Sequence, residues 1–324
     1  MLFWVVRLFL ALQLAPINNW LEKDFRLLGK TISKLNLKYE YSRFFKPVAT
    51  VKLGEDILIE TEDAFNGNLK IPEDVIKLID LKALPPNPVT GPIYIERSRP
   101  GNILVISIDD IKIGNVGGVC FTRTDSASAI GSWFDSDFAK VFEISNQKIK
   151  ISEKLELTAE PFIGCISTAP AYSSPASTKV SQSGGNMDCC LIRTGTKVFL
   201  PVNVEGAYFY LGDVHALQAD GEFCGTAVEV ASQVRLHFDL ITSTSNYILT
   251  WPRVETPDLL ATVVGGFSLD DSFRIAMHEM LAWLEAEYNL SRKEIFLELA
   301  QVANLRPCNR FTGRCELSKD FLQI

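Results

Sequence analysis

The run Val228-Glu229-Val230-Ala231-Ser232-Gln233-Val234-Arg235-Leu236-His237-Phe238-Asp239-Leu240 sets the fold class. From Val234 to Phe238 apolar and polar residues alternate with a period of two. That spacing puts Arg235 and His237 on a polar outer face and the apolar side chains on the other, as in a strand that covers a core on one side. Outward from this run the same texture continues, with short apolar or alternating stretches broken by Gly, Pro, Asn and Asp. It predicts strands over 49–51, 56–61, 93–96, 103–108, 197–201, 207–211 and 247–251, so the chain from about Lys30 onward reads as mainly β. The loop 168–186 is rich in small residues and long for a connector, which marks it as a place for function.

The end of the chain follows a different period. Phe273, Met277, Met280, Leu281, Leu284 and Tyr288 recur at helical spacing behind the capping start Ser268-Leu269-Asp270-Asp271, and Asn289 is placed to end the helix. A second helix is expected from the capping box Ser291-Arg292-Lys293-Glu294, burying Ile295, Leu299 and Val302. The pair should pack on a sheet. This divides the chain into an N-terminal extension over 1–29, a mainly β region over 30–205, and an α+β region over 206–324 that completes the fold.

Composition narrows the function. With 324 residues, 47% apolar and 22% charged, the chain can bury a core of ordinary proportions. A net charge of -7 and a pI near 5.2 supply no basic field for a phosphate backbone, so nucleic acid is not an expected partner. The seven cysteines are an odd number with no C-x-x-C pair, which points to free thiols, a reducing compartment and a cytoplasmic location. Cys308 and Cys315 are expected as buried free thiols, with a loop bridge between them as the alternative. The apolar stretch 2–16, interrupted by Arg7, is too short for a membrane span and lacks the layout of a secretory signal.

Three histidines occur, which shortens the search for chemistry. His278 sits on the flank of a helix and His237 on the outer face of a strand, both ordinary surface positions. Asp213 and His215 stand two apart in an extended segment and point to one side, close in sequence to Asp220 and Glu222, and an imidazole and carboxylates can share a divalent metal. If Asp220-Gly221 is a two-residue turn, Asp213, His215 and Glu222 face the same way, whereas a three-residue loop reverses this. At a rise of about 3.4 Å per residue, His215 and Glu222 would still lie on the order of 10 Å apart, so one ion touching both needs an irregular turn at 219–221. A hydrogen-bonded polar hairpin fits the same residues. Glu60-Thr61-Glu62-Asp63 and Glu96 close strands and would ordinarily be solvated. Ser183-Gly184-Gly185-Asn186-Met187-Asp188 lacks the lysine of a phosphate loop, and its glycines fit a tight turn or close backbone approach.

Taken in order, several segments resemble the acetamidase/formamidase family. They are Val51-Lys52-Leu53-Gly54 with Glu60-Thr61-Glu62-Asp63-Ala64, and Asn87-Pro88-Val89-Thr90-Gly91-Pro92-Ile93-Tyr94-Ile95-Glu96. Pro161-Phe162-Ile163-Gly164 and Gly184-Gly185-Asn186-Met187-Asp188 follow. The densest stretch runs from Gly212-Asp213-Val214-His215-Ala216 through Asp220-Gly221-Glu222 to Glu229, and the helices over 268–305 also match. The resemblance implies a mainly β fold with a C-terminal α+β portion in a layered β/β/α architecture. It further implies hydrolysis of short aliphatic amides to a carboxylate and ammonia, with a bound divalent ion, zinc. Carried onto this sequence, it makes Asp213 and His215 metal ligands, with Glu60 or Asp63 as further oxygen ligands. Glu222 becomes the general base and Glu96 a second acid/base candidate, while Asn186 and Asp188 orient the amide. A small amide is the expected partner and a homo-oligomer the expected assembly. Ala219, where the family usually has glycine, and Arg97-Ser98-Arg99, in place of a small neutral stretch, depart from the pattern. Two alternatives stand beside this reading: a non-catalytic metal- or ligand-binding β protein on the same scaffold, and an amidase for larger or cyclic amides, where Arg97 and Arg99 would favour an acidic substrate.

Overall fold

In the computed structural model, which describes residues 29–78, 84–122, 133–242, 249–288 and 290–322, the alternating run is the strand Ser232–Ile241. Val234, Leu236 and Phe238 are buried while Arg235 and His237 face outward, as the period of two requires. Antiparallel partners flank it on both sides, Ile57–Thr61 and Ile103–Ile113. From this centre a nine-stranded sheet extends in the order Lys30–Ile32, Ile57–Thr61, Ser232–Ile241, Ile103–Ile113, Lys197–Pro201, Arg253–Glu255, Leu259–Gly265, Thr312–Ser318, Asn304–Pro307. It draws strands from both sides of residue 205.

A second sheet of seven strands packs on the first. Its path is Val180–Ser181, Gly184–Asn186, Phe162–Ser167, Phe209–His215, Val89–Ile95, Leu37–Lys38, with Ala49–Val51 also paired to Val89–Ile95. Ile93, Ile163, Phe209 and Val214 of this sheet share one apolar cluster with Ile59, Ile106, Leu236 and Phe238 of the other. The Phe209 and Phe238 rings meet edge to face at 4.9 Å across the interface. Each fully buried side chain of this kind contributes on the order of 1.5–3 kcal/mol, so the sandwich interior is the main source of stability. A four-stranded sheet, Leu155–Thr158, Lys148–Ser152, Phe138–Ser145 and Val116–Phe121, covers one end.

The third layer is helical. Along Leu259–Gly265, Ala261 and Val263 face the sandwich core, whereas Leu260 and Val264 face the helices Leu269–Tyr288 and Arg292–Val302. The fold is therefore mainly β with C-terminal helices, layered β/β/α. Ser268 caps the first helix, its Oγ accepting the Asp271 N–H at 3.2 Å. The buried stripe of that helix is rotated from the one the apolar spacing predicts. Ser272, Ala276, Glu279, Met280, Trp283 and Leu284 are buried, while Phe273, Met277, Leu281 and Tyr288 are only partly covered. Small residues let the helix approach closely, and Ala276 is near enough for its carbonyl to accept the Thr262 hydroxyl at 2.7 Å. The second helix also departs from expectation, because Ser291 makes no side-chain cap bond and Val302 is exposed.

Two strands begin later than the sequence predicts. The strand expected over 207–211 is Phe209–His215, because Ala207 and Tyr208 take left-handed φ of 54° and 53°. Val228 to Ala231 stay outside the ladder of Ser232–Ile241, and Glu229 makes isolated bridges to Gly118 and His215 instead. The strand expected over 247–251 lies partly outside the described residues, and a strand is found at Arg253–Glu255. Residues 1–28 of the N-terminal extension and Asn289 also lie outside them. The seven cysteines are free, with Cys308 and Cys315 buried. No helix among the described residues is long and apolar enough to cross a membrane.

Candidate active site

Asp213 and His215 lie at the end of Phe209–His215, opposite Phe162–Ser167, whose register places Gly164 against Asp213. A side chain on Gly164 could not fit, since its Cβ would stand 2.7 Å from Asp213 Oδ2 and 2.8 Å from Asp188 Oδ1. Asp188 follows Gly184–Asn186, and Glu229 reaches the same point through its bridge to His215. Asp188, Asp213 and Asn87 adopt φ of 49°, 56° and 56°, a left-handed conformation that these residue types tolerate best. Glu222, at φ 40°, has no such tolerance, and strain of this kind concentrates at functional sites.

Three carboxylate oxygens converge on His215 Nε2: Glu229 Oε2 at 3.2 Å, Asp213 Oδ1 at 3.5 Å and Asp188 Oδ1 at 4.0 Å, with all four residues buried. The other oxygen of each carboxylate is satisfied. Asp213 Oδ2 accepts from Asn87 Nδ2 at 3.0 Å, and Asp188 Oδ2 accepts from Asn186 at 2.9 Å and Asn309 at 2.6 Å. Glu229 Oε1 accepts the Ala227 N–H at 2.8 Å. The three inward oxygens have no hydrogen-bond partner, a costly state for buried charged atoms.

Gln218 settles which nitrogen of His215 faces them. Its Nε2 donates to the carbonyls of Asp188 at 3.2 Å and Cys308 at 3.0 Å, so its Oε1, 2.8 Å from His215 Nδ1, must accept. Nδ1 then carries a proton, so in the neutral imidazole the lone pair lies on Nε2, on the side of those oxygens. Three unpartnered carboxylate oxygens and one imidazole lone pair are a donor set for a divalent cation, and a carbonyl-anchored amide behind the imidazole is the usual outer support of such a ligand.

The crowding of acids shifts their protonation. Burial and the Asp213 charge push Asp188 up to about 6, and burial with Asp213 pushes Glu229 up to about 7. Burial opposes charge on His215, yet Glu229 and Asp213 outweigh it and hold the imidazole well above its ordinary value. Burial and Asp188 raise the Glu222 carboxyl well above the usual carboxylate range. Without a cation, protons partly neutralise the cluster.

Glu222 arrives on a fold-back loop. Its N–H donates to the Ala219 carbonyl at 3.3 Å, Gly221 takes φ 93°, and the Gly221 N–H donates to Cys308 O at 3.2 Å. The next residue back, Asp220, is held by Arg314 at 2.8 Å and Arg306 at 3.3 Å. This irregular turn carries a Glu222 oxygen to within 4.8 Å of donor atoms of Asp188 and His215. Asn186 spends its side chain inside the cluster, accepting from Asn87 at 2.7 Å and donating to Asp188.

The remaining expected site residues lie elsewhere. Asp63 Oδ1 accepts the N–H groups of Phe65 and Gly67, both at 2.9 Å, as a turn-forming aspartate. Glu60 is partly buried on Ile57–Thr61, and Glu96 follows Val89–Ile95 with its N–H donated to Val51 O at 2.9 Å. None of the three joins a group of possible metal donors among the described residues. Arg97 and Arg99 are exposed and do not line the cavity over the site. That cavity, about 790 Å³, has Asn186, Asp213, Glu222, Glu229 and Asn309 in its lining. Sequence reading assigned no role to Glu229, Gln218, Asn87 or Asn309.

Known proteins resemble this chain in both sequence and fold. A family model, Acetamidase/Formamidase family, matches residues 38–183 and 176–280. An acetamidase of Mycolicibacterium smegmatis is 23% identical over 256 residues, covering 60% of this chain and 63% of that protein. A putative formamidase of Schizosaccharomyces pombe is 25% identical over 244 residues, covering 56% and 58%. The chain thus spans about three fifths of the length of these curated relatives. The crystal structure of a predicted acetamidase/formamidase from Thermoanaerobacter tengcongensis superposes with a TM-score of 0.84 at 31% identity, covering 91% of this chain and 97% of the other. A gamma lactamase from Delftia acidovorans, at 16% identity, TM-score 0.64 and coverage of 90% and 93%, shares the fold alone.

Proposed function

Because the chain belongs to the acetamidase/formamidase family, we propose that it hydrolyses the carbon–nitrogen bond of short aliphatic amides such as formamide and acetamide. Water adds oxygen to the carbonyl carbon, the C–N bond breaks, and the products are a carboxylate and ammonium. The observation that carries this reading is the convergence of three unpartnered carboxylate oxygens on the lone-pair nitrogen of His215. Asp188, Asp213, His215 and Glu229 would hold a divalent cation, zinc in our reading, since mixed carboxylate and imidazole donors suit it. A cation bound there supplies Lewis-acid polarisation of the amide carbonyl and makes a water more acidic.

The chain's own groups do the rest. Glu222, which the fold-back loop brings close to Asp188 and His215, takes a proton from water and delivers one to the departing nitrogen, which leaves poorly without it. Asn186, Asn87 and Asn309 fix the outer oxygens of Asp188 and Asp213 so that the inner ones stay aimed at the centre. We place the protein in the cytoplasm as a homo-oligomer, in keeping with its free thiols and the family pattern. Ammonia release from formamide and acetamide by zinc-loaded protein, with Glu222→Gln beside it, tests the reading. We expect turnover by the native chain and its loss in the variant at unchanged metal content, and full turnover by a metal-retaining variant would remove Glu222 from the role.

A further inference from the structure

We propose that the preferred substrate is a primary amide with a medium-length aliphatic acyl chain, the chain lying along Val180, Phe267 and Phe311 while its amide meets the acids. The inference rests on the amide-hydrolysis reading and narrows the substrate class of that same site. The cavity that reaches Asp213, Glu222 and Glu229 measures about 790 Å³, a size that encloses most of a drug-sized ligand, roughly 300–1,000 Å³. Formamide or acetamide would leave most of it to water. That water would rest against apolar side chains, because Ala64, Phe65, Val180, Phe267 and Phe311 belong to the same lining. Phe267 is 99% exposed, apolar surface that a substrate chain would cover.

Printed contacts join these apolar groups to one another and to the acids. Val180 pairs with Gly185, next to Asn186, whose side chain donates to Asp188 at 2.9 Å. Val180 also packs on Gly265, where a Cβ would stand 2.6 Å from its own. The Gly266 N–H, just before Phe267, donates to the Phe311 carbonyl at 3.0 Å, and the Phe311 N–H donates at 2.9 Å to Oδ1 of Asn309, the residue that holds Asp188 at 2.6 Å. One continuous wall therefore runs from Asp188 through Phe311 and Phe267 to Val180. A second apolar group starts from the other acids. The Ala64 carbonyl accepts the N–H of Asn87, which holds Asp213, and Phe65 reaches Gly118, whose backbone exchanges two hydrogen bonds with Glu229 at 3.0 and 2.8 Å. A polar head placed at the acids thus has apolar surface within a short chain's reach, and an aliphatic tail exchanges water for that surface.

The test uses the full zinc-loaded chain and compares kcat/KM by ammonia release for acetamide, butanamide and hexanamide. A fully buried methylene is worth up to about fourfold, so partial burial of the tail should raise kcat/KM at each step and place hexanamide about tenfold or more above acetamide. Phe267→Ala and Phe311→Ala should each lower the ratio of hexanamide to acetamide by about threefold or more. Phe267 is so exposed that its replacement leaves folding intact, which equal Tm and zinc content would verify. Acetamide as the best of the three, or a chain-length preference that neither variant reduces, overturns the proposal and leaves the amidase reading standing. Ammonia from none of the three overturns the amidase reading and the proposal with it.

Discussion

Gln218 acts on the chemistry of His215 without facing the cavity's centre, because its two carbonyl contacts fix which nitrogen is left unprotonated toward Asp188, Asp213 and Glu229. Gln218→Leu keeps the bulk and removes the acceptor, so zinc affinity measured by calorimetry should fall about 10- to 100-fold. Undiminished affinity would mean that the tautomer is fixed by other contacts. If Glu222 exchanges protons as proposed, Glu222→Gln should drop kcat about 10²- to 10⁴-fold at unchanged metal content. Part of this site could be read from sequence. Asp213 and His215 form a same-side pair at a spacing of two, and they do meet at 3.5 Å. Glu229 drew no role because it opens a run that reads as continuous strand, whereas it sits before the ladder begins. Asn87 and Asn309 carry no local signal at all, since their contacts with Asp213 and Asp188 span 126 and 121 positions.

At the level of elements, the fold-back loop after His215 decides whether Glu222 takes part. Hairpin geometry alone keeps it away, and the irregular turn at 219–221 is what brings it in. That turn is tied to the last β hairpin, Asn304–Pro307 with Thr312–Ser318, through Arg314 and Arg306 on Asp220 and through the Gly221 N–H on Cys308. Asp220→Asn should therefore lower kcat while zinc content stays the same, and an unaltered kcat would show that the turn holds without its ion pairs. The strands were legible because alternation is a local signal, and their starts were not because left-handed residues such as Ala207 and Tyr208 end a ladder without changing the hydrophobic pattern. The rotated stripe of Leu269–Tyr288 has a related cause, since apolar spacing weights large side chains whereas close approach to a sheet favours Ser272 and Ala276. Ala276→Leu should cost about 1–3 kcal/mol in denaturant unfolding through overpacking.

For the whole molecule, the acidic cluster trades stability for a binding site. In chelated protein Glu229 and Asp188 keep protons up to about 7 and about 6, whereas in the unfolded chain they lose them near ordinary carboxylate values. The folded state thus binds more protons between those limits, and stability falls as pH rises through that window. The raised His215 works in the same direction, its contribution fading as pH climbs. Tm of chelated protein should be lower at pH 8 than at pH 5, and zinc should restore it at pH 8, where the carboxylates are free to bind as anions. The β/β/α layering followed from periodicity and from the family resemblance together. The layers leave a buried point at which sheet and loops deliver four acids and an imidazole, braced by the C-terminal hairpin. The central claim is that this point holds a cation on which amide hydrolysis depends. It is tested most directly by ammonia release from acetamide before chelation, after chelation and after zinc is returned, with metal content measured at each stage. Activity should disappear with the metal and return with it. Metal-free protein that hydrolyses acetamide at an undiminished rate would contradict the claim.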